Sequence, residues 1–153
     1  RARQDRVAIH GFSSNTRHAV SYTRFLEFNQ PLSASVFARI AQARAEYSTR
    51  LGAALRHATL AAGQETTERR AVIVLTDGAP SDIDVFDPDY LIADAARAVS
   101  EARATGVQVY GLVMDAQARP YAEAVYGLRA RQILEHPEAL PRYLSMLYQQ
   151  LRK

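Results

Sequence analysis

The sequence predicts an open, doubly wound α/β fold with a mostly parallel sheet and helices on both faces. Two observations carry that expectation. The runs at residues 71–76 (AVIVLT) and 107–113 (VQVYGLV) are apolar almost without alternation, as strands covered on both faces are. Around them stand amphipathic stretches at helical spacing, several with clear start signals. Strands alternating with helices imply parallel pairing through right-handed crossovers.

Taken in order, residues 7–12 (VAIHGF) form a short strand. Residues 19–28 are rich in Val, Tyr, Thr and Phe and read as a more exposed edge strand. Val36, Ile40 and Tyr47 share one face of a helix expected over residues 35–47; Leu51, Leu55 and Ala58 do the same over residues 50–62. After the strand at 71–76, Asp87-Pro88 offers an N-cap followed by proline at the first helical position. Leu91, Ala95, Val99 and Ala102 then make an apolar stripe that runs until Gly106 stops the helix. Pro120 opens a short helix and residues 130–134 supply a weak last strand. Pro141 opens the final helix, whose Leu144, Leu147 and Leu151 are expected to face the core.

Composition narrows the function classes. The 153 residues suit one domain, and 48% are apolar, enough for a sizeable core. The net charge is +3, with arginines spread along the chain; they read as solvated helix faces, and no nucleic-acid partner is expected. The absence of cysteine excludes disulfides and thiolate metal sites and fits a reducing, cytoplasmic location. No apolar run is long enough to span a bilayer, so no membrane partner is expected. The polar opening, Arg1 to Arg6, reads as the continuation of an earlier segment. There is no phosphate-binding glycine loop and no nucleophile elbow. The expectation is a binding module, not an enzyme, with any ATP-linked activity supplied by a partner.

In doubly wound sheets ligands bind beyond the carboxyl ends of the strands. Asp77 stands there, followed by Gly78, which allows a sharp turn. Ser48 and Thr49 stand at the mouth of the second helix. One of them caps that helix, or Thr49 offers its oxygen to a hard cation shared with Asp77. Downstream, Asp82-Ile83-Asp84-Val85 superficially matches the nucleophile motif of haloacid-dehalogenase-type phosphatases. That motif must directly follow a buried strand, and here Gly-Ala-Pro intervenes after Thr76. The acidic stretch therefore reads as a solvated loop leading into the helix capped by Asp87, with Asp82 or Asp84 available to a partner. His10, His18, His57 and His136 show no paired metal-ligand spacing, and His10 reads as a structural residue in a strand.

From Val7 onward the chain resembles a von Willebrand factor A-type domain. Phe12-Ser13-Ser14 resembles the end of that family's second strand. Ser48-Thr49-Arg50-Leu51-Gly52-Ala53-Ala54-Leu55 resembles its threonine motif, and Val74-Leu75-Thr76-Asp77-Gly78 its aspartate motif. The resemblance implies a metal-ion-dependent adhesion site in which Thr49 and Asp77 help to hold Mg2+, with an open position for a partner carboxylate. The family's remaining ligands lie in an Asp-x-Ser-x-Ser motif on its central first strand, and this sequence has no such motif. The expectation is thus a single A-type domain over residues 1–153, incomplete at its N-terminal side.

A narrower resemblance rests on His10-Gly11-Phe12-Ser13-Ser14-Asn15, the threonine segment extended to Ala58, Leu75 to Val85, Leu140-Pro141 and Leu147-Tyr148. These segments are similar to the C-terminal domain of the NorD/CbbO family of bacterial nitric oxide reductase and rubisco activation proteins. That likeness implies an adaptor that works with a MoxR-type AAA+ ATPase and a target enzyme, rubisco or nitric oxide reductase. A generic adhesion or scaffold A-domain is the alternative, and a phosphatase the less favoured one.

Overall fold

The computed structural model describes residues 5–152, so the opening Arg1 to Gln4 lies outside it. Strands β1 (Ile9–Ser14) and β2 (Val20–Leu26) form an antiparallel hairpin. Helices α1 (Ala34–Ala41) and α2 (Leu51–Gly63) follow. Then come β3 (Arg70–Thr76), α3 (Pro88–Ala104), β4 (Val107–Val113), α4 (Arg119–Tyr126), β5 (Arg131–Ile133) and α5 (Leu140–Leu151). Strands β3, β4 and β5 pair in parallel in that order. The predicted alternation is present, and so is the α3 start: the Asp87 carboxylate accepts from Asp89 N at 3.0 Å, with Pro88 at the first helical position.

The core lies on one face of the parallel sheet. Val74, Val109 and Val113 meet Leu51 and Leu55 of α2, Ala95 and Val99 of α3, and Val125 and Tyr126 of α4. Leu147 and Tyr143 of α5 lie across Tyr110 and Leu112 on the opposite face. Gly111 shows how closely α4 approaches: a Cβ there would stand 2.4 Å from the Tyr126 ring, which is itself 1% exposed. Gly111→Ala is therefore expected to cost about 1–3 kcal/mol by overpacking. Chemical denaturation with a change under about 0.5 kcal/mol would show that Tyr126 moves aside freely.

The structure corrects several expectations. The strands fall into two sheets, because β1 pairs with β2 and β3 with β4, and no hydrogen bonds join β1 to β3 among the described residues. Phe12 of β1 nevertheless packs against the same core as β3. Strand β3 is not covered on both faces: Val74 is buried, but Ile73 is 39% and Leu75 46% exposed. Their face is the one α5 occupies, and α5 sits over β4 and β5. Helix α1 ends at Ala41, and Tyr47 lies beyond it, exposed, at φ 60°. A tyrosine in the left-handed region cannot continue a right-handed helix. In α5 only Leu147 is buried, while Leu144 stays 37% exposed.

Candidate functional site

The loops at the carboxyl ends of β1 and β3 meet the segment that enters α2. Ser14, at the end of β1, exchanges two backbone hydrogen bonds with Ser48, each 2.8 Å. Thr49 does the same with Ser81: Thr49 N donates to Ser81 O at 2.9 Å and Ser81 N to Thr49 O at 3.1 Å. The threonine segment is thus stitched on one side to the hairpin and on the other to the loop that Asp77 opens. Neither Ser48 nor Thr49 caps α2; Arg50 holds the cap position without a side-chain hydrogen bond to the helix.

Arg50 fastens this junction. Its Nε donates to Asp82 Oδ2 at 2.8 Å and its Nη2 pairs with Asp84 Oδ1, while its backbone N donates to Ser14 Oγ at 3.0 Å. Asp82 Oδ1 accepts from Thr16 N at 2.9 Å and from Ile83 N at 2.8 Å. Asp84 Oδ2 accepts from Arg17 N at 2.9 Å. The Asp82 side chain is fully buried. Burial alone would raise its carboxyl pKa, but hydrogen bonds from Thr16, Arg50, Ser14 and Ile83 outweigh it and hold the group below the usual carboxylate range. Thr16 sits at φ 74°, an uncommon conformation for a β-branched residue, with its N–H aimed at Asp82.

The solvated-loop reading of Asp82 and Asp84 is therefore wrong for Asp82. Alternation between 82 and 84 turns both carboxylates to one side, toward Arg50. An arginine at a helix entrance, with paired aspartates elsewhere, was the available sequence signal; only the fold shows that they meet.

Asp77 is exposed and makes no hydrogen bond or ion pair among the described residues. Thr49 and Asp77 thus lie on two loops held together by backbone pairing, with no hydrogen bond between the two residues among those described. Both offer hard oxygen donors, the chemistry Mg2+ prefers. Asp115, past the end of β4, joins Asp77 in acting on Tyr121 of α4. Burial, then the negative charges of Asp115 and Asp77, push the Tyr121 hydroxyl up to about 12. That hydroxyl is buried without a hydrogen-bond partner. Among the described residues no group of at least three His, Cys, Asp or Glu side chains is arranged to hold a metal. One carboxylate and one hydroxyl fall well short of the roughly six oxygens Mg2+ requires. Titration calorimetry on this 153-residue chain is expected to show no tight stoichiometric Mg2+ site; a clean one-to-one isotherm would contradict this.

At the other end of the hairpin, His10 Nδ1 lies 3.0 Å from the Tyr22 hydroxyl, and the Tyr22 ring stacks at a tilt on His57, 4.2 Å between centroids. Burial lowers the His10 pKa. These contacts support the structural reading of His10.

The fold and this junction define an α/β module whose loops meet at the carboxyl ends of its strands. The model of the von Willebrand factor type A domain matches residues 1–130, and the chain belongs to that family. It is similar to Protein NorD of Brucella melitensis, 32% identical over 96% of this chain, and to Protein NorD of Stutzerimonas stutzeri, 32% identical over 88%. An uncharacterized protein of Pseudomonas aeruginosa is 33% identical over 97% of the chain. The match covers 23%, 22% and 24% of these relatives' own lengths, respectively. No helix among the described residues is long and apolar enough to cross a membrane.

Proposed function

We propose that this chain is a protein-binding adaptor module whose docking point is the loop surface around the exposed Asp77. Thr49 and Asp77 are two of the oxygen ligands of a Mg2+ ion, and the others come from a strand seated between β1 and β3. What carries the reading is the junction itself: Arg50, Asp82 and Asp84 lock the loops of Thr49 and Asp77 together while leaving Asp77 exposed and uncommitted. A scaffold of this kind preorganises ligands without consuming them. The bound ion would supply an open position that favours a carboxylate.

The likeness to proteins named NorD supports a place in a NorD-type system. In that setting the partners are a MoxR-type AAA+ ATPase and its target enzyme, nitric oxide reductase or rubisco, in the cytoplasm. The test is an acidic-to-amide scan of the ATPase and target surfaces, with affinity measured in Mg2+ and in EDTA. One partner carboxylate is expected to dominate, and only in Mg2+. Affinity indifferent to EDTA would replace this reading with ordinary surface complementarity.

A further inference from the structure

Because Asp82 and Asp84 turn inward to Arg50, the residues between and beyond them turn outward. Ile83 is 66% exposed, Phe86 98% and Tyr90 57%. Phe86 immediately precedes the N-cap Asp87, a position from which an apolar side chain often folds back onto the first turn of the helix. Its partner there would be Leu91, which is 2% exposed, yet Phe86 leaves it and stands in water. The loop is not slack. Arg50 pins its start through Asp82 and Asp84, and Asp87 fixes its end by capping α3. A loop whose backbone is already pinned at both ends gives up less conformational freedom on binding, and binding energy concentrates on aromatic anchors.

Charge says what kind of surface fits. Residues 77–90 carry five aspartates and no lysine, arginine or histidine, in a chain whose net charge is +3. Arg50 answers Asp82 and Asp84, while Asp77, Asp87 and Asp89 remain exposed. An anionic bilayer would be repelled, and a second copy docked by two-fold symmetry would set like charges face to face.

We propose that the loop over residues 83–90 is a docking knob: Phe86, flanked by Ile83 and Tyr90, enters an apolar pocket on a protein partner whose rim carries Lys or Arg. This rests on the reading of the chain as a protein-binding module, but it needs neither the metal nor a particular partner. The test places the photo-crosslinking analogue p-benzoylphenylalanine at position 86 of the intact protein in its host, and maps the adducts by mass spectrometry. The expected adduct lies on a different polypeptide, at an apolar site beside Lys or Arg. Asp89→Lys should cut its yield by about fivefold, as loss of a complementary rim charge does; Glu135→Lys, on the loop after β5, should leave it unchanged. Adducts confined to this protein itself, to a second copy or to lipid would overturn the proposal, as would a yield indifferent to Asp89→Lys. If the expected adduct persists in EDTA at full yield, the knob stands and the metal-bridged reading is the one that fails.

Discussion

Asp82→Ala is expected to destabilise the chain by about 3–5 kcal/mol, the range for removing one partner of a buried ion pair. The substitution leaves Arg50, which is 10% exposed, short of a carboxylate, and strips the acceptor from Thr16 N and Ile83 N. At this chain length the loss corresponds to a fall in Tm on the order of 10 °C. Asp84→Ala should cost less, because its side chain is 26% exposed and water can replace it. The pH dependence has a definite sign. The Asp82 pKa is lower in the folded state than in the unfolded chain, so its contribution is fully present above the unfolded carboxylate value. It is lost as pH falls through the folded value, and Asp82→Asn should flatten that acid limb. Thermal melts from neutral to strongly acidic pH check both points. A loss under about 1 kcal/mol for Asp82→Ala would show that the junction holds without this carboxylate.

Asp77→Ala is expected to leave folding nearly untouched and to weaken partner binding by about 2 kcal/mol or more, roughly 30-fold. The side chain is exposed and bonded to nothing among the described residues, so its removal should change stability by no more than about 0.5 kcal/mol. Thr49→Ala should weaken the same contact less, because it removes a neutral ligand that water can replace. Binding assays on the intact protein, paired with melts in EDTA, separate the possibilities. A large drop in Tm with unchanged affinity would make Asp77 a structural residue.

The sequence was enough for the order of elements and for the class of fold. The apolar runs ending at Thr76 and Val113, the stripe from Leu91 to Ala102, and the Asp87-Pro88 start are local signals, and each element formed where its signal lay. The family, too, was legible, because its threonine and aspartate motifs are short and contiguous. Periodicity misled at residues 43–47, where the helical spacing continued past the end of α1 but the backbone at Tyr47 did not.

What only the tertiary structure decided is how distant loops meet. Arg50 and Asp82 are 32 residues apart, and Thr16 and Asp82 are 66 apart. No local pattern says that these groups share a buried junction, because their pairing depends on the crossovers that bring the strand ends together. The same holds for β3, whose uniform apolarity reports what can be buried, while its actual cover depends on which elements reach it. Ile73 and Leu75 stay open because α5 sits over β4 and β5 and, among the described residues, no strand borders β3 on its other edge. Composition thus sets which side chains seek burial, and topology sets which of them find it.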